Sequence, residues 1–382
     1  MNILLIGEYN SSHYGLKIPL EKLGHNVTVI GHGDGFKHRK SDISYKIKYT
    51  SGPMYLLRRF IYLLTSVDIT SVSIYNQVSR FKELLKGYDV VQLINETPFS
   101  ATPDVERKLL NYVFTHNKNV FLLSCGTDYI SVKYADNKKF RYSVLTPYFE
   151  GRGTKKEFWH ALKYLTKPYV ELHTFIYKNV KGVIASDLDY HLPLLGNKKY
   201  LGLAPNPIDL NKLSYTEPKI DAKIIIFHGI NLNNYYKKGN DIFEEAIKIL
   251  KRTHLDRIEI VTVRNLPYAE YIKALDSSHI LLDQVYAYDQ GFNALEAMAK
   301  GKVVFTGAEK EWLEYHKLKE DTIAINALPD AEKIAEKLKW LIDNPKKIVE
   351  ISKNARKYIE ENHNSLNSAK IYLEKWNQAM SN

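Results

Sequence analysis

A loop that contains glycine and leads into a helix is the part of the sequence best suited to hold an anion. The run 288–304 predicts such a loop, a helix that begins near Asn293, and a buried strand after Gly301. The backbone N–H groups and the dipole at a helix start favour a phosphate. Glu296 lies one turn inside this helix, where its carboxylate can accept hydrogen bonds from a ribose diol. A glutamate that only complements the helix dipole is the alternative interpretation.

Two further acidic residues follow predicted strands in the first half of the chain. Glu96 comes after the strand predicted over residues 89–94, and Asp128 comes after the strand predicted over 119–124. In open parallel sheets the loops at these strand ends face the ligand. Either carboxylate could therefore take a proton from an acceptor hydroxyl, or could instead cap the helix that follows it.

The elements that position these residues form two similar series. In the first half, helical stretches alternate with short apolar runs that predict buried strands over residues 3–7, 25–30, 89–94, 119–124 and 181–186. After the prolines of the run 204–209 the alternation restarts, with strands predicted over 223–229, 258–263, 279–283 and 302–306. The sequence therefore predicts an α/β protein with two Rossmann-like, doubly wound parallel sheets and a cleft at the carboxyl ends of their strands.

The composition narrows the classes of function. A chain of 382 residues suits two domains, and its single cysteine, Cys125, leaves no disulfide framework and no cysteine-based metal site. No run approaches the ~20 continuous apolar residues that span a bilayer. The net charge of +11 points to anionic partners, such as a nucleotide diphosphate, an anionic lipid surface or nucleic acid. We therefore expect a cytoplasmic protein.

Much of the positive charge is concentrated in one stretch that is also rich in aromatic residues. Between Lys133 and Lys181 there are eleven lysines and arginines against four acidic residues. Such a surface fits an anionic membrane interface and also single-stranded nucleic acid. A solvated helix face over an aromatic core is the third interpretation.

A known family is similar to the chain around the glycine loop. The run 291–304, Gly-Phe-Asn-Ala-Leu-Glu-Ala-Met-Ala-Lys-Gly-Lys-Val-Val, resembles the donor-site sequence of retaining GT-B glycosyltransferases of the group 1 or family 4 type. By this resemblance Glu296 falls on the glutamate that holds the nucleotide ribose. Gly291, Phe292 and Asn293 fall on the loop that faces the donor sugar and its phosphates.

The chain departs from the family pattern at a second glutamate. That residue is expected eight positions before Glu296, where this chain has Tyr288. Asp289 and Gln290 follow directly and are the candidates for contacts with the donor sugar. The identity of the sugar is therefore not implied by the resemblance.

A second run that resembles the same family lies over residues 228–241. In the family, a cation and a Lys-Gly pair follow the first strand of the second domain and neutralise the diphosphate, as a metal does in other enzymes. Lys238 precedes Gly239 here, and Lys237 supplies the second charge. The alternative is a solvated lysine pair at a helix start.

Two other loops gain candidates from the resemblance. Arg264 and Asn265 lie in the loop that borders the nucleotide base, although a plain surface turn explains them equally well. The loop 7–15 is similar to the first loop of the family, which faces the reaction centre. We expect His13 to be exposed there and to contact the acceptor or a phosphate, or to be an ordinary solvated histidine.

One short motif favours a different interpretation. Asp187 and Asp189 spell the D-x-D of metal-dependent glycosyltransferases, but that motif belongs to another fold. Asp187 follows a predicted strand, and we expect it to cap a helix. We accordingly expect no metal and no cofactor besides the nucleotide-sugar co-substrate.

The resemblance implies a division of the chain and a reaction. It assigns residues 1–204 to an acceptor domain, 205–364 to a donor domain, and 365–382 to a helix that returns to the first domain. We expect transfer of a sugar from a nucleotide-diphosphate sugar to an acceptor hydroxyl, with anomeric retention, in bacterial surface polysaccharide or glycolipid assembly. The acceptor would be a saccharide or a lipid-linked saccharide, with the enzyme peripheral on the inner face of the cell membrane. The alternatives are a GT-B nucleotide-sugar epimerase and a non-enzymatic nucleic-acid-binding protein; binding of nucleic acid is not expected.

Overall fold

Two parallel sheets organise the chain, whose computed structural model describes residues 1–33 and 41–381. The first sheet has seven strands in the order β3-β2-β1-β4-β5-β6-β7. In chain order these strands are β1 (Asn2–Ile6), β2 (Asn26–Gly31), β3 (Ile43–Ser44), β4 (Val90–Leu93), β5 (Val120–Ser124), β6 (Gly182–Ala185) and β7 (Tyr200–Leu203). The second sheet has five strands in the order β12-β11-β10-β8-β9. They are β8 (Ile224–Ile230), β9 (Ile258–Arg264), β10 (Ile280–Leu282), β11 (Val303–Thr306) and β12 (Ile325–Asn326).

Helices connect the strands, as parallel pairing requires. The first domain contains α1 (Ser12–Lys22), α2 (Gly52–Thr65), α3 (Ile69–Arg80), α4 (Pro103–His116), α5 (Tyr129–Asp136), α6 (Thr146–Phe149), α7 (Trp159–Leu162), α8 (Lys167–Asn179) and α9 (Leu188–Leu194). The second part of the chain contains α10 (Asn240–His254), α11 (Tyr268–Asp276), α12 (Phe292–Ala299), α13 (Lys310–His316), α14 (Ala331–Asp343), α15 (Pro345–Asn362) and α16 (Ser365–Ser381). The predicted fold, with two Rossmann-like parallel sheets, is confirmed.

The strands are apolar because both faces of each sheet are covered. Ile3, Leu4, Leu5 and Ile6 of β1 are fully buried, which explains why this strand is a continuous apolar run rather than an alternating one. Among the described residues, no helix is long and apolar enough to cross a membrane.

The helix α16 packs on the first domain although it follows the second in sequence. Its Trp376 and Tyr372 are buried in one cluster with Leu16 and Leu20 of α1. The indole Nε1 of Trp376 also donates a hydrogen bond of 3.1 Å to the side-chain oxygen of Gln92 on β4. The core of the first domain is thus completed by a helix from the far end of the described chain.

A buried carboxylate in the first domain makes stability depend on pH. Glu106 accepts hydrogen bonds from the backbone N–H of Phe99 at 3.1 Å and of Ala101 at 2.8 Å. Burial nevertheless raises the pKa of Glu106 from 4.5 to about 8. The folded protein therefore keeps this proton at pH values where the unfolded chain releases it, so the stability that it contributes is full below pH 4.5 and is lost as the pH rises to about 8.

We expect Glu106→Gln to flatten this pH dependence. A difference of one bound proton between the folded and unfolded states changes the free energy of unfolding by up to about 2.7 kcal/mol over two pH units. Between pH 5.5 and 7.5 the free energy of unfolding should therefore fall less in the variant than in the wild type. Urea denaturation at both pH values measures the difference, with the exposed Glu245→Gln as control. Equal slopes in the wild type and in Glu106→Gln would contradict the assignment.

Candidate active site

A cleft of 540 Å³ lies between the two domains and is lined by loops at the carboxyl ends of the strands. The first domain contributes residues that follow β1, β5 and β6, and the second contributes residues that follow β8, β9 and β10 together with the start of α12. Because every strand is parallel, these loops all meet at the same edge of each sheet.

Asp283, which follows β10, holds two of the predicted site residues in place. Its side chain is only 1% exposed, and its Oδ1 lies 2.9 Å from the Nζ of Lys238. The same oxygen accepts a hydrogen bond of 2.8 Å from the side-chain amide of Asn293. The ammonium group of Lys238 is thereby fixed beside the first turn of α12. Sequence reasoning did not single out Asp283, although its position at a strand end is the signal that marked Glu96 and Asp128.

The start of α12 is built to face an anion. Gly291 is its N-cap residue, and its backbone conformation is extended. A Cβ atom at Gly291 would meet no heavy atom of the described residues within 4 Å, so the approach to this helix end is open. The positive end of the helix dipole points the same way, and Phe292 and Asn293 also line the cleft.

A second lysine adds positive charge to the side of the cleft where α12 begins. Lys237 is half-buried in the cleft. Burial, and then the charge of Lys238, lower its pKa to about 8. A bound anion between the two ammonium groups would offset their repulsion, which makes both lysines suited to a diphosphate.

Glu296 follows Asn293 by one turn of α12 and, unlike Asn293, is not among the described residues that line the cleft. It is half-buried on α12. Its neighbour Tyr271 lines the cleft and donates a hydrogen bond of 2.9 Å from its hydroxyl to Asn293. Burial, the carboxylate of Asp283 and then that of Glu296 raise the pKa of Tyr271, so the two side chains are close in space. The carboxylate of Glu296 therefore lies near Tyr271, which lines the cleft.

One of the two predicted sugar-binding residues, Asp289, forms part of the contact between the domains. Asp289 is buried, and its Oδ2 accepts a hydrogen bond of 3.0 Å from the backbone N–H of Leu188 in the first domain. In return Asp189 accepts a hydrogen bond of 3.1 Å from the backbone N–H of Tyr288. Gln290 lines the cleft, and its amide nitrogen donates to the carbonyl of Gly307 at 2.6 Å.

These carboxylates lie close enough together to affect one another. Burial and the nearby Asp289 raise the pKa of Asp189 to about 7, and burial raises the pKa of Asp289 to about 6. Asp187 caps α9 by accepting a hydrogen bond from the N–H of Asp189 at 3.1 Å, as the sequence predicted. In the described ranges 1–33 and 41–381, no group of three or more His, Cys, Asp or Glu residues is arranged to hold a metal ion.

Two of the predicted catalytic residues have structural contacts. Asp128 caps α5 and accepts a hydrogen bond of 2.7 Å from the backbone N–H of Ser131. Glu96 is buried, accepts a hydrogen bond of 3.1 Å from the backbone N–H of Tyr129, and lies 2.5 Å from the Nδ1 of His173. Burial raises the pKa of Glu96. Asp128 is therefore the cap of α5, as the capping interpretation predicts. Glu96 also accepts a hydrogen bond from the first residue of that helix.

The prediction that His13 is exposed was wrong. Helix α1 begins at Ser12, so His13 lies in its first turn with its side chain fully buried. Its Nδ1 lies 2.8 Å from the carbonyl oxygen of Gly7, and burial lowers its pKa to about 4. Among the described residues that line the cleft, His13, Glu96 and Asp128 do not appear.

Of the two predicted base-binding residues, one lines the cleft and the other does not. Asn265 lines the cleft, and its side-chain oxygen accepts a hydrogen bond of 3.0 Å from the backbone N–H of Leu232. Arg264 is exposed and forms an ion pair with Glu244 on α10. Sequence reasoning also missed Asn231, Asn233 and Asn234, which line the cleft after β8.

Two arginines of the basic, aromatic stretch form ion pairs with residues of the second domain. Arg141 lies 2.5 Å from Glu309 and 2.6 Å from Glu311. Arg152 pairs with Asp241 at the start of α10 and with the hydroxyl of Tyr286. Part of the charge that the sequence assigned to an external partner thus holds the domains together.

Comparison with known proteins gives a family match in the second half of the chain and a fold match over the whole chain. Residues 237–374 match the model of the glycosyl transferase-like family. No curated protein sequence matches the chain.

Three solved structures illustrate the fold. Sucrose-phosphate synthase from Thermosynechococcus elongatus superposes with a TM-score of 0.63 at 16% identity, over 100% of this chain and 99% of that one. HepE from Anabaena, in complex with UDP and glucose, gives 0.60 at 12% identity over 99% and 100%. UDP-GlcNAc 2-epimerase from Neisseria meningitidis, bound to UDP-GlcNAc, gives 0.53 at 14% identity over 100% of both chains. At these identities the likeness shows the fold, and the fold is that of the GT-B glycosyltransferases.

Proposed function

We propose that the protein is a glycosyltransferase that moves a sugar from a nucleotide-diphosphate sugar to an acceptor hydroxyl. The proposal rests on the position of Lys238 in the cleft between the two GT-B domains. The buried Asp283 holds this lysine beside the open start of α12. The family match begins at Lys237 and includes this whole wall. UDP is bound by HepE, which has the same fold.

Different residues on this side of the cleft would bind the diphosphate, the ribose and the base of the donor. Lys238, Lys237 and the start of α12 at 291–293 would hold the diphosphate, and Glu296 would accept hydrogen bonds from the ribose hydroxyls. Asn265 would contact the base. Two ammonium groups and a helix dipole can neutralise a diphosphate, so we propose a reaction without a metal. We also propose that the reaction retains the anomeric configuration, as in the group 1 or family 4 type.

The chemistry would consist of one bond exchange. The bond between the anomeric carbon and the diphosphate breaks, a bond to the acceptor oxygen forms, and the acceptor proton passes to an oxygen of the departing diphosphate. Negative charge develops on the departing diphosphate, where Lys238 and the helix dipole stabilise it. Contacts such as the hydrogen bond from Tyr288 to Asp189 join the two domains beside the cleft. Residues 1–204 would bind the acceptor, a saccharide or lipid-linked saccharide of surface polysaccharide or glycolipid assembly.

Thermal stabilisation by nucleotides tests the donor site. We expect one of UDP, GDP, dTDP and ADP to raise the melting temperature of the wild type, and Glu296→Ala to weaken its binding by roughly tenfold because the ribose loses its charged acceptor. Glu314→Ala, an exposed glutamate on α13, is the matched control. No shift with any nucleotide at millimolar concentration would rule out the proposed function.

A nucleotide-sugar epimerase is the second candidate, because an enzyme of this class from Neisseria meningitidis has the same fold. Epimerisation next to the anomeric centre exchanges a carbon-bound proton with solvent, whereas glycosyl transfer does not. Incubation with the nucleotide sugar in D₂O without an acceptor separates the two. Deuterium in the sugar ring would establish the epimerase, and its absence with acceptor-dependent release of nucleotide diphosphate would establish the transferase.

A further inference from the structure

The helix α2 stands out from the rest of the first domain by its exposure. All fourteen of its residues are described, and not one of them is buried. The side chains include Met54, Leu57 and Tyr62, whose exposed fractions are 43%, 45% and 50%. A helix of this composition in a protein core would bury most of these groups.

The most exposed residues of α2 share one face. Leu56, Phe60, Leu63 and Leu64 are 65%, 60%, 77% and 69% exposed. Their spacing places them on one side of a helix with 3.6 residues per turn. On the opposite side, Arg58 turns inward and lies 2.6 Å from Asp68, which caps α3. Arg58 therefore attaches the helix to the domain, and the face of Leu56, Phe60 and Leu63 is directed outward.

Exposed cationic residues lie on α2 and in the segment that precedes it. Arg59 of α2 is exposed, and so are Lys46 and Lys48 in the segment that leads to the helix. Residues 44–67 contain no acidic residue. A patch that is both apolar and cationic fits a surface that offers acyl chains beneath negative headgroups.

The basic, aromatic stretch lies next to α2. Burial is the main cause that raises the pKa of Tyr169 to about 12, and Tyr62 of α2 is close enough to contribute. Lys163 lies 5.2 Å from the ring centroid of Tyr169. The side chain of Lys167, at the start of α8, is 88% exposed. Lys167 therefore adds an exposed cation at the start of α8.

We propose that α2 lies in the surface of an anionic lipid bilayer, with Leu56, Phe60 and Leu63 among the acyl chains and Arg59 at the headgroups. A helix of fourteen residues is about 21 Å long, which is shorter than the ~30 Å hydrocarbon core, so the helix lies along the surface. The inference concerns the first domain and does not depend on the proposed reaction.

Vesicle binding by the full chain tests the proposal. We expect the wild type to sediment with vesicles of phosphatidylcholine and phosphatidylglycerol, and more weakly with phosphatidylcholine alone. The variant Leu56→Ser/Phe60→Ser/Leu63→Ser should bind at least about tenfold more weakly, because three apolar side chains no longer leave water. The control Leu84→Ser/Leu195→Ser/Leu255→Ser removes leucines that are 53%, 58% and 61% exposed elsewhere and should bind like the wild type.

Three results would overturn the proposal. One is a wild type that does not bind anionic vesicles, and another is equal binding by the α2 triple variant. The third is a wild type that self-associates without vesicles and becomes monomeric in the triple variant, which would mean that a second copy covers α2. If the triple variant does not fold, Leu63→Ser alone, at the most exposed of the three positions, takes its place with Leu255→Ser as control.

Discussion

Replacement of Lys238 by alanine is expected to weaken binding of the donor nucleotide by roughly 100-fold, or about 3 kcal/mol. Two effects add. The diphosphate loses a cation that is already in position, and Asp283, whose side chain is 1% exposed, is left without its partner at 2.9 Å. An uncompensated carboxylate at the cleft wall then repels the diphosphate. Turnover should fall by about 10²–10³, as when a single group that stabilises the leaving charge is removed.

Isothermal titration with the stabilising nucleotide measures the affinity, and a double variant separates the two effects. Lys238→Ala/Asp283→Asn removes the uncompensated carboxylate, so it should recover roughly tenfold of the lost affinity. Lys248→Ala is the matched control, because Lys248 lies on α10 and pairs at 2.9 Å with Glu245 on the protein surface. Unchanged affinity in Lys238→Ala would remove the diphosphate site from this wall.

Replacement of Trp376 by alanine is expected to lower the free energy of unfolding by about 3–5 kcal/mol. The indole is fully buried between α16 and the first sheet, with ring centroids 6.3 Å from Phe121 and 5.8 Å from Tyr372. The variant leaves a cavity there and takes away the hydrogen bond that Gln92 accepts. Urea denaturation followed by circular dichroism measures the loss.

The exposed Trp159 provides the control for this experiment. Trp159→Ala removes the same side chain from α7 in the first domain, where the indole is 47% exposed, and should cost less than about 1 kcal/mol. Equal losses for the two variants would mean that α16 does not complete the core of the first domain. Nucleotide affinity of the folded Trp376→Ala protein should stay unchanged, because Trp376 is not among the described residues that line the cleft.

The sheets could be predicted because a strand buried on both faces is an apolar run that ends at a polar loop. The strand predicted over 302–306 is β11, and the helix expected near Asn293 begins at Phe292. The short strands β3 and β12 have two residues each, too few to form a run. The predicted sheets were therefore correct in class but lacked β3 and β7 of the first sheet and β12 of the second.

The site was harder to predict, because its contacts join residues that are distant in sequence. Asp283 ends an apolar strand, and only the folded chain brings Lys238 to it. His13 follows a glycine loop, and only the start of α1 at Ser12 shows that its side chain is buried. Asp128 has the same sequence setting as a catalytic base, and its hydrogen bonds to the next helix identify it as a cap.

The return of α16 also sets the order in which the protein can be completed during synthesis. A ribosome releases Leu16 and Leu20 early, but the helix that covers them follows only after the whole second sheet has been made. At ~5–20 residues per second, the roughly 160 residues between β7 and α16 take on the order of ten to thirty seconds. For that interval the apolar face of α1 lacks the helix that covers it in the folded protein.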